Sequence, residues 1–175
     1  MTVLFVGGIH GVGKSTACKV VTEEFGIPHF SASQIIKGER SSAVDEKSKL
    51  VADIDENQRL LIQGVSKIIE NGRFLLDGHF TMRRKSDGAI EVIHVDVFRE
   101  LNVGAVVLFT DHPEEISKRM FTRDGVLQPV EMVRSHQVAE VTHAKHVTAI
   151  LAVPLVILQA FDNVGTAKVI REWKA

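Results

Sequence analysis

The chain has 175 residues, a formal charge of −1, and 45% hydrophobic against 25% charged residues. That balance fits one globular domain and excludes collagen-like, disordered and nucleic-acid-coating chains, the last of which usually have a pI above about 9. A single cysteine, Cys18, excludes an internal disulfide and fits a reducing, cytoplasmic setting.

Residues 3–6 (VLFV) form a continuous apolar run before Gly7 and Gly8, as expected of a strand buried on both faces. No basic stretch precedes it, so it reads as a first strand rather than a signal peptide. A helix is predicted over 13–25, closed by Gly26 and Pro28. A very short strand at 29–30 follows, then a helix to Lys37 capped by Ser31 or Ser33. Residues 38–53 are polar and charge-rich and are expected to be mobile. The spacing of Ile54, Leu61, Val65 and Ile68 predicts a long amphipathic helix, and 74–76 a short buried strand. Residues 81–88 read as a basic turn, 90–95 as an extra strand, 97–101 as a short helix and 105–109 as a buried strand. Asp111 and Pro113 open a helix to about Arg123, with Asp111 as its N-cap. A long helix over 130–151, a strand over 155–158 and a closing helix over 164–173 complete the chain. The apolar run 149–160 is divided by Pro154 and falls short of the roughly 20 residues of a membrane span. The strand–helix alternation predicts an α/β fold with a parallel sheet, helices on both faces and right-handed crossovers.

The strongest motif is Gly8-Ile9-His10-Gly11-Val12-Gly13-Lys14-Ser15-Thr16, which satisfies G-x-x-x-x-G-K-[ST] between a strand and a helix. The glycines let backbone N–H groups turn inward, and the helix N-terminus adds positive potential, so the loop can cradle phosphates. Lys14 is expected to reach the β- and γ-phosphates and the Ser15 hydroxyl to ligate Mg²⁺. Thr16 either touches the α-phosphate or caps the first turn, and His10 is expected to face solvent. Such a loop needs a second acidic partner for Mg²⁺, usually at a strand end. Asp77, after Leu75-Leu76 and before Gly78, is the candidate. Arg119 and Arg123 lie at i, i+4 on one helix face, where two guanidinium groups can clamp a phosphoryl group in transfer.

On GIHGVGKST, HFSASQIIK, LLDGH, FTDHPEEISKRMFTRD and VPLVIL, in that order, the chain resembles the small P-loop nucleoside-monophosphate kinases, in particular the archaeal-type adenylate kinase-like proteins. The resemblance implies a P-loop NTPase three-layer fold with a five-stranded parallel sheet in order 2-3-1-4-5, all in a single domain. It implies an acceptor-binding insertion at about 31–57 and a short lid at about 119–129. It also implies γ-phosphoryl transfer from ATP, with Mg²⁺, to a nucleoside monophosphate. Gly8, Gly11, Val12, Gly13, Lys14, Ser15 and Thr16 would hold the donor. Lys14, Arg119, Arg123 and Asp77 would serve the transfer, Asp77 with Ser15 at the metal.

Ser31 matches the serine that opens the acceptor region. Lys37 stands where these enzymes usually carry arginine, with Arg40 three residues on. His79 and the basic-turn residues Arg83 and Arg84 are further acceptor contacts to test. His136, Glu140 and His143 share one face of the long helix, which reads as a solvated face, or as His136 packed near the nucleotide, in preference to a zinc site. Two other readings stay open: a kinase of another small metabolite, such as a sugar acid, and a slowly hydrolysing ATP-dependent switch. No nucleic acid or membrane partner is expected.

Overall fold

The computed structural model describes residues 2–42, 54–69, 72–84 and 86–174. Strand β1 (Val3–Gly7) is buried at every position. It lies between β3 (Leu75–Asp77) and β6 (Val103–Thr110), parallel to both. With β2 (His29–Ser31) outside β3 and β7 (Leu155–Gln159) outside β6, the sheet runs β2-β3-β1-β6-β7. Counted among themselves, these five parallel strands stand in the expected order 2-3-1-4-5.

The strand labels run higher because a hairpin intervenes. The segment expected to be a basic turn is instead β4 (Thr81–Arg83), paired antiparallel with β5 (Ile90–Val92). Its short alternation explains this: Thr81 is fully buried while Met82 faces out. Arg84 closes the hairpin through Asp87 and Glu91, so it serves the turn.

Alternate residues of β1 enter two cores, because successive side chains of a strand point to opposite faces. Val3 and Phe5 pack with α3 (Ile54–Ile68), α4 (Val95–Glu100) and the second half of α6 (Val130–Leu151). Phe5 meets the edge of Phe80 at 5.0 Å, and Phe80 stacks on Phe98 at 4.7 Å between ring centres. Leu4 and Val6 pack with α1 (Lys14–Phe25), α7 (Asn163–Lys174) and Ile116 of α5 (Pro113–Asp124). Burying a Phe or Leu in this way contributes about 1.5–3 kcal/mol each.

Helix α2 (Ala32–Ser42) runs past Lys37, where the sequence suggested an end and a mobile stretch. Glu39 of α2 holds Lys67 of α3 at 2.7 Å, and Arg40 donates to Asn57 at 2.6 Å, so this helix pair is tied on its outer side. The remainder of the charge-rich stretch, 43–53, lies outside the described residues. Asp111 is not the cap of α5: His112 takes that position, Pro113 opens the helix and Gly125 ends it at φ 70°. Among the described residues no helix is long and apolar enough to cross a membrane.

The register places Gly7 beside Leu108, Val6 beside Asp77 and Asp77 beside Ser31. The phosphate-loop sequence, Asp77, Ser31 and Asp111 therefore all emerge at the carboxyl edge of one sheet, where ligands of such folds bind.

Candidate active site

The loop between β1 and α1 needs its glycines. Gly8, Gly11 and Gly13 take φ values of 136°, 79° and 112°, a region open to glycine and strained for other residues. A Cβ on Gly8 would stand 2.7 Å from the Phe109 carbonyl oxygen. Val12 is wholly buried, so its side chain anchors the loop while its amide bonds to Ile9. Gly13 is the N-cap of α1, which removes Thr16 from that role. Ser15 and Thr16 stand exposed in the first turn.

Lys14 is buried, and its Nζ donates to the carbonyls of Gly8 at 2.6 Å and Ile9 at 3.2 Å. Burial lowers its pKa to about 8, although the carboxylates of Glu140 and Asp77 favour the charge. The ammonium thus caps the loop's own oxygens and sits ready for a stronger anion.

Glu140 corrects the sequence reading most. Expected on a solvated face, it is 1% exposed. Its carboxylate accepts from the amides of Gly8 (3.2 Å), Phe80 (2.9 Å) and Thr81 (2.7 Å), and from the Thr81 hydroxyl (2.5 Å). Every one of these partners is a donor, so the site satisfies the ionised form. Burial nevertheless raises its pKa against the pull of Thr81, Phe80 and Lys14. One side chain of α6 thus ties the phosphate loop to the start of β4. His143 is also buried and engages the Ile93 carbonyl at 2.7 Å, so it too is not on a solvated face.

Asp77 is buried, and its Oδ2 meets His29 Nε2 at 2.6 Å, while Ser31 donates weakly to Oδ1 at 3.4 Å. Cys18, His29 and Asp77 bring their polar atoms within 4.8 Å of one another beneath α1. Burial pushes the Cys18 thiol up, as expected of a packed, inert cysteine.

Arg119 bonds to the phosphate loop directly, whereas Arg123 makes no bond to it but stands near enough to lower the pKa of Lys14 and His10. Arg119 donates through Nε to the Gly11 carbonyl at 2.9 Å and through Nη2 to Asp111 at 2.7 Å, with its guanidinium over the Phe161 ring. Arg123 pairs with its exposed neighbour Asp124, which also stands 3.5 Å from the solvated His10. Asp111, read from sequence as a cap, holds Arg119 in place. Burial pushes its carboxyl up, but Arg119, the His112 amide and Gln159 outweigh this and hold it low.

An apolar cleft opens between α2, α3 and the start of β4, with a cavity of about 100 Å³. Phe5, Leu61, Phe98 and Leu101 line it with carbon, and Asn57, Gln58 and His79 add polar groups. Of the acceptor candidates, His79 lines it and Arg40 is tied to Asn57 at its rim, whereas Lys37 is exposed and forms no part of its wall. Arg83 donates back to Gly88 of its own hairpin. Three buried atoms lack a hydrogen-bond partner among the described residues: Gln58 Oε1, His79 Nδ1 and His136 Nε2. Burial pushes His79 well below its ordinary pKa, helped by Lys14, His10 and His136.

A family model described as "AAA domain" matches residues 7–134. UMP-CMP kinase 3 of Oryza sativa subsp. japonica is 28% identical over 131 residues, covering 71% of this chain and 60% of that protein. UMP-CMP kinase of Prunus armeniaca is 33% identical over 133 residues, covering 70% and 53%. The chain thus spans about 60% or less of the length of these two relatives. Among solved structures, a gluconokinase from Sinorhizobium meliloti 1021 superposes with a TM-score of 0.56 at 18% identity, over 98% of this chain and 88% of that one. That likeness speaks for the fold. With the phosphate loop intact and the match running from β1 into α6, the chain belongs to the AAA domain family, and its curated relatives include nucleoside-monophosphate kinases.

Proposed function

We propose that the chain is an ATP-dependent phosphotransferase that moves the γ-phosphoryl group to a nucleoside monophosphate. The observation that carries this is the convergence of Lys14 and Arg119 on one phosphate loop, beside a carbon-lined cleft at the same sheet edge. The loop amides and Lys14 hold the donor phosphates. Arg119, already fixed by Asp111 and Gly11, faces the charge that develops during transfer. An oxygen of the acceptor phosphate attacks the γ-phosphorus as the bond from that phosphorus to the β-bridging oxygen breaks, and ADP departs.

Mg²⁺ fits the donor set, because Ser15 and Asp77 offer hard oxygen ligands at the loop. Ser15 would hold it directly, and Asp77, anchored by His29, would orient its water. When bound, the ion supplies positive charge to the β- and γ-phosphates.

The acceptor region over 31–57 contributes Ser31 and, in the cleft wall, Asn57, which Gln58 and His79 join there. A planar base suits carbon walls with the unpaired Gln58 Oε1 among them. A sugar acid carries hydroxyls on every side and would leave most of them unbonded there. The lid over 119–129 consists of the last turn and a half of α5 and the loop to α6.

The test is ATP consumption with Mg²⁺ against UMP, CMP, AMP and gluconate. A rise of tenfold or more with one nucleotide, about 1.4 kcal/mol of barrier, supports the reading. The same rise with gluconate alone would replace it with a sugar-acid kinase. A slow rate indifferent to every acceptor would replace it with a switch.

A further inference from the structure

Two of the three unpaired buried atoms belong to imidazoles that flank the phosphate loop, His79 and His136. Their placement follows from Glu140. His79 directly precedes Phe80, whose amide Glu140 accepts, and His136 lies one helical turn before Glu140 on α6. The same carboxylate accepts the Gly8 amide. Both imidazoles are therefore drawn to the junction between the phosphate loop and the acceptor cleft. Each has one ring nitrogen turned to the protein, His79 toward the Gly8 backbone and His136 toward the Thr81 backbone. The other nitrogen of each has no partner among the described residues. Leaving a buried polar group unpaired is costly, and such groups in a cleft mark where a ligand completes the bonding.

The surrounding charges say what the ligand is. Facing the pair are Lys14 from α1, His10 from the phosphate loop and Arg83 from β4, with Glu140 on the same helix as His136. Glu140 offsets part of the Lys14 charge, but it already accepts four hydrogen bonds and has none left for the imidazoles. A site rich in cations and with two unpaired imidazole nitrogens takes an anion with several acceptor oxygens.

We propose that His136, together with His79, binds a phosphate group at this junction and takes up a proton when it does so. This rests on the phosphotransferase reading and adds to it a contact at His136 and a dependence on pH. The His136 imidazole here supplies the charge that a guanidinium would otherwise bring, but only in the bound state. In the empty protein burial and the nearby cations Arg83, Lys14 and His10 lower the pKa of His136. A phosphate reverses that local field and raises it. The sign follows: affinity grows as pH falls through the bound-state pKa and levels off below the free-state value.

The test is nucleotide binding between pH 5.5 and 8.5 by wild type, His136→Gln, His136→Arg and Lys14→Ala. Wild type should bind about tenfold more tightly at pH 6 than at pH 8. His136→Gln should reduce that ratio severalfold, and His136→Arg should bind with a similarly flattened pH dependence because its charge is permanent. NMR titration of the intact wild-type histidines, with the His136 signal assigned from its absence in His136→Gln, needs no variant to bind. MgATP, MgADP and UMP are added separately. A rise in the His136 pKa with MgATP but not MgADP places the γ-phosphate there, and a rise with UMP alone places the acceptor phosphate there. Binding that is lost in Lys14→Ala, with no movement of the His136 pKa under any ligand, overturns the proposal and leaves the phosphotransferase reading standing. No nucleotide binding in wild type overturns both.

Discussion

Replacing Glu140 with alanine tests whether one buried carboxylate holds the phosphate loop to the rest of the site. The substitution leaves the amides of Gly8, Phe80 and Thr81 without an acceptor in a place water does not reach. Each unsatisfied buried donor costs about 1–3 kcal/mol, and the emptied space adds a cavity term. Three donors near the lower end of that range, with the cavity, give a loss of about 3–5 kcal/mol. For a domain of this size each kcal/mol moves Tm by roughly 2–4 °C, so the midpoint should fall by roughly 6–20 °C. Urea unfolding followed by circular dichroism measures the free energy, and thermal melts check the shift. Glu140→Gln preserves shape and one good acceptor but turns an amide NH₂ toward donors, so it should lose about half as much. A loss below about 1 kcal/mol for the alanine variant, the usual effect of a surface change, would refute the reasoning.

Gly8→Ala should prevent a native phosphate loop, because its Cβ meets the Phe109 carbonyl at 2.7 Å and its φ is 136°. Nucleotide binding by calorimetry should be lost, and near-native affinity would contradict it. Lys14 has a pKa of about 8 in the empty protein, so it loses its charge as pH rises through that value. Anion affinity should then fall between about pH 8 and 10 in wild type, with no such fall in Lys14→Ala. The same depression means the folded state binds fewer protons than the unfolded one, so this group adds stability as pH rises from 8 toward 10.5. Asp111→Asn removes the charged partner of Arg119, worth about 1.5–3 kcal/mol. It should lower kcat about tenfold or more with a smaller change in KM, whereas a loss of stability with kcat and KM both unchanged would make Asp111 a purely structural residue.

Much of this could be read from the sequence, for reasons that differ by element. The long helix over 130–151 and the buried strands carry strong periodic signals, and the phosphate loop is a motif that demands its own context. The hairpin was harder, because Thr81-Met82-Arg83 looks polar until Thr81 is seen to be buried by Glu140. Glu140 itself gives no sequence signal. A glutamate on an amphipathic helix is ordinarily solvated, and its burial depends on three amides distant in sequence that need an acceptor at the same place. Asp111 resembled a cap because Asp before Pro usually is one. Its true partner, Arg119, lies two turns along α5, and its side chain reaches Asp111 where the helix packs on the loop at Gly11. The spacing of Arg119 and Arg123 was legible, but not that one turns to Gly11 and the other to Asp124.

The central claim is group transfer to a nucleotide, and the most direct test follows the phosphorus itself. ATP labelled at the γ-position is incubated with Mg²⁺ and UMP, CMP or AMP, and the products are separated. The account predicts label in a nucleoside diphosphate, dependent on one acceptor and absent in Lys14→Ala. Label appearing only in inorganic phosphate, at a rate no nucleotide changes, would contradict it.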